Sequence, residues 1–273
     1  MSQHSSRLRR TLIIMLVVLA ARLPLGMAAD WLLRGRADDP AARYAALILQ
    51  ETLLWGLPSL LMRPWQVDGL KPRGQAVGLS IAALVMGAVA QMAMMGPTGW
   101  WADFIGAPRS ALPMPQNEVQ WVLAVLALVV TPAVMEEAFF RGGVQTALQQ
   151  SLATAPAVAA TTLIFALMHG SLAGVPSHLV ISLMCSLGMA CRGRLRVSIA
   201  MHMAYNGAAL LLRDVSAAWM PVLPLAVILA ACALYMISDA IWLRRGEPLR
   251  PADAVMMIFI AAGTIALYIP QFL

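Results

Sequence analysis

Two adjacent carboxylates in an otherwise apolar stretch are the first residues that demand a chemical reason. In TPAVMEEAFFRGG, Glu136 and Glu137 precede Arg141, and an ionisable side chain inside a membrane span costs roughly 2.5–3.5 kcal/mol on insertion scales, so each needs a partner or a task. Glu137 and Arg141 stand four apart with the acid first, the better orientation for a helical ion pair. Glu136 projects about 100° further round the same helix and is left to face a separate cavity. Pro132, one turn earlier, frees a backbone carbonyl and permits a kink and a polar pocket just before the acids. Downstream, Phe165 and His169 in TLIFALMHG, and His202 and Asn206 in SIAMHMAYNG, repeat the four-residue spacing, which puts each pair on one helix face.

With those faces turned inward, two acids, two histidines, an arginine and an amide share one pocket, as side chains do in the cores of helix bundles. Such a set supplies a base, an orienting cation and hydrogen-bond donors. A structural reading competes at every position: Glu137 and Arg141 as a membrane-boundary ion pair, the histidines as interhelical hydrogen-bonding fillers. Packing alone does not predict their concentration in one stretch, and the joint set favours function.

Other polar residues read as structural. Gln50 and Glu51 interrupt the second apolar run, and Arg22 is the expected counter-charge of Glu51 from a neighbouring helix. His178 opens a span as an anchor, His4 lies in a terminal tail, and Asp239 is a boundary residue. Cys185, Cys191 and Cys232 lack CxxC spacing and read as packing residues, although Arg192 and Arg194 would make Cys191 the reactive one if any is. HExxH, GxSxG and phosphate-cradling glycine loops are absent.

The elements that must position these residues are membrane helices. Of 273 residues, 60% are apolar and 12% charged, too little polar surface for a soluble domain of this length. Apolar runs fall near 11–29, 44–62, 76–96, 119–135, 153–170, 175–191, 197–212, 217–243 and 254–272, long enough to predict an all-α, polytopic transmembrane bundle of about eight or nine helices. The first run follows Arg7, Arg9 and Arg10 as in a signal peptide, but Arg22 and Pro24 interrupt it, and an uncleaved span is expected. The Glu136 segment is placed at the inner end of the fourth helix, and Pro97 to Glu118 is expected to be an irregular connection rich in proline.

The net charge of +6 is spread between apolar runs, so topology explains it better than nucleic acid does. With the amino terminus in the cytoplasm, thirteen of the 19 basic residues fall inside, five outside, and Arg22 within a span. One lysine, Lys71, amid many arginines and alanines suggests a bacterial coding sequence and hence the inner membrane. Organisation is expected as 1–117, N-terminal helices of unassigned role; 118–212, the core carrying the polar set; and 213–273, C-terminal helices. One difficulty is depth. If the fifth helix starts at the inner face near Ala155, His169 lies some 20 Å in, far from acids at that face; tilt, the Pro132 kink or a half-buried stretch from Gly142 to Leu152 must close the gap.

The ordered pattern Glu136-Glu137-x-x-x-Arg141, Phe165-x-x-x-His169, His202-x-x-x-Asn206 resembles the CPBP family of intramembrane proteases, which includes the type II CAAX prenyl endopeptidases and bacterial proteins related to bacteriocin processing and immunity. The resemblance covers about residues 118 to 212. It implies that Glu136 and His169 activate a water, that His202 and Asn206 stabilise the oxyanion of the tetrahedral intermediate, and that Glu137 and Arg141 orient them. It also leaves open a zinc held by Glu136, His169 and His202, against a metal-free glutamate mechanism that no ligand spacing here contradicts. The implied partners are the lipid bilayer and a membrane-associated peptide or protein. The alternative is a non-enzymatic membrane protein, either a proton-coupled transporter or an inactive immunity-type relative.

Overall fold

The computed structural model describes residues 3–62, 76–107, 112–192, 195–215 and 230. Among these the chain is helical throughout, in seven helices: α1 Gln3–Leu32, α2 Pro40–Leu61, α3 Ala76–Phe104, α4 Glu118–Leu148, α5 Thr154–Met168, α6 Val175–Arg192 and α7 Leu195–Leu211. The predicted runs at 217–243 and 254–272 lie outside the described residues. Four segments are long and apolar enough to cross a membrane: Ser6–Leu32, Pro40–Leu61, Ser80–Phe104 and Glu118–Leu148.

The outer faces of these helices carry bare apolar side chains, among them Val17, Leu23 and Met27 of α1, Ile81 and Val85 of α3, and Val119 and Val122 of α4. Buried inside are Glu136, Glu137, Arg141, Gln145, Ser182, Ser186 and His202. Polar inside and apolar outside is the arrangement for a chain whose solvent is lipid.

Two expectations need correction. The predicted irregular stretch does not begin at Pro97, because α3 continues through that proline to Phe104. Within a packed membrane helix the one lost hydrogen bond is tolerated, and the continued turn lets Trp101 Nε1 donate to the carbonyl of Leu172, 2.9 Å away. The fifth run is not a full span either. With 15 residues, α5 is about 22 Å long against a hydrocarbon core of about 30 Å. It stops at His169 because Gly170 takes φ +68°, a left-handed conformation that ends helices. From there α6 returns alongside α5.

Hydrophobicity alone does not foresee the widened turns. In α2, Thr52–Gly56, and in α4, Leu126–Val130, the backbone forms π-helical turns in which the N–H of Leu57 donates to Thr52 and that of Thr131 to Leu126, five residues back. Each is followed at once by a proline, Pro58 or Pro132. Because proline has no N–H to give, the helix loosens by one residue there rather than breaking. At Pro132, where a kink was possible, the helix carries this widened turn. A third widened stretch, Ala138–Gln145, follows the acids.

The most extensively packed pair is α3 and α7. Gly87 makes this possible: a Cβ at that position would collide with the carbonyl of Met201 and stand 3.1 Å from the amide of Tyr205. Small residues of this kind let membrane helices approach backbone to backbone, and α7 thereby presents His202 and Asn206 at a fixed position. Replacing Gly87 by valine should lower stability by about 1–3 kcal/mol, the usual range for overpacking. The check is thermal unfolding in detergent; an unchanged midpoint would show that α3 and α7 do not meet at their backbones.

Candidate active site

Glu136 and Glu137 close the short α-helical stretch Thr131–Glu137 that lies between two widened turns of α4. They do not sit at the inner end of the helix, as expected from the sequence, because the chain continues as a helix to Leu148 with Phe139 through Val144 all buried. Twelve residues separate Glu136 from Leu148 and fifteen separate Thr154 from His169, and across the two helices Glu136 and His169 meet at 3.4 Å.

Behind the acids runs a ladder of buried polar groups at helical spacing. Glu137 Oε1 accepts from Arg141 Nη1 at 3.0 Å and from His202 Nδ1 at 2.9 Å. Arg141 Nη2 donates to both the carbonyl and Oγ of Ser182, each at 2.9 Å, and Gln145 Nε2 donates to the carbonyl of Ser186 at 2.8 Å. The Arg141 guanidinium also lies over the Phe165 ring, 4.5 Å from its centre, a cation–π contact strengthened by the absence of water. Glu137, Arg141, Gln145, Ser182 and Ser186 are fully buried. One arginine therefore binds α4 to α5 and α6, and its carboxylate partner reaches α7.

The other acid points elsewhere. Glu136 lines a cavity of about 600 Å³ together with Pro132, Phe165, His169, His202 and Asn206. Its Oε2 is 3.4 Å from His169 Nε2, too long for a tight direct bond, which leaves both groups capacity for a third. His169 Nδ1 is 2.8 Å from the carbonyl of Phe165. A carbonyl only accepts, so Nδ1 carries a hydrogen and Nε2 is the nitrogen turned toward Glu136. By the same logic Nδ1 of His202 donates to Glu137, and its Nε2 is the nitrogen left for the cavity. Phe165 sits between the imidazoles, with ring centres 4.3 Å from His169 and 5.9 Å from His202. All six residues singled out from the sequence thus meet around one cavity and its rear wall.

Two further residues belong here that sequence reading assigned to structure. Glu51 is on the cavity wall together with Glu136. Arg22, its expected counter-charge, donates through Nη1 to the carbonyl of Met168, at the negative end of α5. His178 is not a simple span anchor: its ring stacks on His169 at 4.0 Å and 29° and lines the cavity. Gly174, one turn earlier, leaves the space its ring fills. The signal for Glu51 was available, since a carboxylate within an apolar run is what drew attention to Glu136; the direction in which it faces was not.

Among the described residues, no group of three or more His, Cys, Asp or Glu side chains is placed to hold a metal ion. Cys185 is buried, its Sγ 3.5 Å from the carbonyl of Ser198, and the side chains of Cys191 and Cys232 lie outside the described residues.

Removing either charge of the ladder strands the other. Arg141→Ala or Glu137→Ala should each cost about 3–5 kcal/mol of stability, and a double Glu137→Gln, Arg141→Met variant should cost less than the sum. Thermal unfolding of the four proteins in one detergent checks this; additive losses would mean that the two charges are not coupled.

Nothing among curated proteins or solved structures matches the chain. Residues 118–208, about a third of the sequence, match the family model described as type II CAAX prenyl endopeptidase Rce1-like. That interval opens at the first residue of α4 and ends two residues after Asn206, so the part of the chain that is similar to this family spans the ladder and most of the cavity wall.

Proposed function

We propose that the protein is an intramembrane endopeptidase that hydrolyses a peptide bond of a membrane-associated protein or peptide with a water activated by Glu136 and His169. The observation that carries this reading is the meeting of Glu136 Oε2 and His169 Nε2 at 3.4 Å on the wall of a cavity shared with His202 and Asn206. A carboxylate there is a general base in a site with little competing solvent, and the imidazole beside it orients the same water. As water adds to the scissile carbonyl carbon, negative charge develops on the carbonyl oxygen. His202, held at Nδ1 by the Glu137 carboxylate, and the Asn206 amide one turn further along α7 are the groups that face that oxygen from the cavity wall. Arg141 enters only through Glu137, whose position it fixes.

The basic residues that flank the apolar runs favour a cytoplasmic amino terminus. An apolar segment of a membrane-bound substrate suits a cavity that is lined by Leu47, Leu128 and Leu210 beside its polar groups.

Purified protein in liposomes should cleave a membrane-tethered peptide without any ion gradient. Glu136→Gln, His169→Ala and His202→Ala should each abolish cleavage, and Asn206→Ala should lower kcat by about two to three orders of magnitude, the usual effect of losing one oxyanion donor. Glu136→Gln is the cleanest of these, since it preserves shape and removes the base. Turnover retained in all three abolishing variants, or uptake driven by a pH gradient in place of cleavage, would overturn the assignment.

A further inference from the structure

His178 lines the cavity, yet the water-activating set makes no use of it. It stands in the first turn of α6, and its ring stacks on that of His169 with centres 4.0 Å apart and planes 29° from parallel. Its Nδ1 is buried and finds no hydrogen-bond partner among the described residues. The edge of the ring rests instead against Gly174, where a Cβ would stand 2.6 Å from Cε1 and 3.0 Å from Nδ1. That seat is itself fixed. The backbone N–H of Gly174 donates to Ser171 Oγ at 3.2 Å, and that of His178 donates to the Gly174 carbonyl at 2.9 Å. From α3, Trp101 Nε1 holds the carbonyl of Leu172, and from α7 the Tyr205 hydroxyl donates to the carbonyl of Ser177, 3.3 Å away. The ring is held by its edge and by the turn beneath it, and what it offers to His169 is a face.

His169 needs such a face. The hydrogen bond from its Nδ1 to the Phe165 carbonyl fixes one point on the imidazole edge and leaves the ring free to swing about that point. Nε2, across the ring, would then sweep away from Glu136. A flat group packed at van der Waals distance removes the swing. Phe165 also touches the His169 ring, at 4.3 Å, but with the steeper tilt of 44°; His178 is the closer to parallel. We propose that His178 is a positioning residue of the hydrolytic site: its ring, seated on Gly174, stacks on His169 and sets the plane in which His169 Nε2 meets Glu136. This rests on the hydrolytic reading given above. His178 moves no proton in it and acts only through His169. Stacked ring pairs have a preferred geometry beyond the area they bury, and a displacement of about 1 Å in a positioned group is enough to cost about 10²-fold in rate.

His178→Ala and His178→Leu remove the face. In liposomes with the membrane-tethered peptide, each should lower kcat per folded molecule by about 10–100-fold and leave KM within about twofold. His178→Phe returns a face without either ring nitrogen and should recover most of the loss. Gly174→Ala pushes the ring off its seat and should also lower kcat, but in the His178→Ala background it should cost nothing further, because the two residues act through one contact. A His178→Phe protein as slow as His178→Ala would make the ring nitrogens the working part, and a His178→Leu protein as fast as wild type would make the residue a filler; either result overturns the proposal. If His178→Phe does not fold, additive losses from Gly174→Ala and His178→Ala overturn it as well. A further readout needs no substrate. In detergent, the imidazole nitrogen NMR signals of His169, identified by their loss in His169→Ala, should show one tautomer with the hydrogen on Nδ1 in the wild type and an average of two in His178→Ala; an unchanged spectrum refutes the role. A wild-type protein that cleaves nothing removes the hydrolytic reading, whereas the tautomer comparison still decides whether His178 holds the His169 ring.

Discussion

A fixed charge is tolerated in the hydrocarbon region only where every neighbour is committed to it, and Arg141 is the group around which this bundle meets that condition. Its guanidinium donates to Glu137 in its own helix and to Ser182 in α6, and covers the face of Phe165 in α5. Glu137 passes the constraint to His202 in α7. Four helices are thereby held in one mutual register by contacts with strict geometry, which lipid-facing apolar packing cannot supply because lipid tails match leucine equally well. Removing the arginine would leave the Glu137 carboxylate with His202 as its one remaining side-chain partner among the described residues.

Irregular backbone does the remaining positioning. The widened turn before Pro132 and the wide stretch from Ala138 flank the two acids, so the segment that bears them can rotate as a unit relative to the helix on either side. In α2 the turn Thr52–Gly56 begins one residue after Glu51. The short α5–α6 hairpin brings His169 to its tip and no further, where Arg22 and Trp101 hold the carbonyls of Met168 and Leu172. Irregular backbone at this depth is stable only where protein encloses it, and here it borders a cavity.

Much of this was legible in the residues. Four-residue spacing gave the shared faces of Glu137 with Arg141, Phe165 with His169 and His202 with Asn206, and the cost of charge in lipid marked them as a set. Hydropathy gave the apolar runs but overstated them: the run at 153–170 reads as a span, yet the helix within it stops at Met168, because a window average does not register the left-handed turn at Gly170. The same average let α4 end too early, at the acids, since partly polar residues such as Arg141 and Gln145 look like a boundary when their partners Ser182 and Ser186 are unknown. Pro97 reads as a helix end on grounds that hold in water but are weaker in a packed membrane helix, and α3 continues through it.

Glu51 and His178 show why the remainder was hidden. The sequence offers each a nearby companion, a counter-charge or a membrane boundary, whereas in space Glu51 shares a cavity wall with Glu136 and His178 stacks on His169, both on other helices. Helical periodicity settles which residues share a face; it does not settle where that face points, and a widened turn adds one residue to the register and rotates everything after it by about 100°. Glu136 and Glu137 make the same point within a single dipeptide. Identical in type and adjacent in sequence, they are separated by that angle: one is clamped between an arginine and a histidine, and the other is turned toward a cavity with an imidazole at 3.4 Å. The division between holding the site and acting in it follows from which helix each one meets.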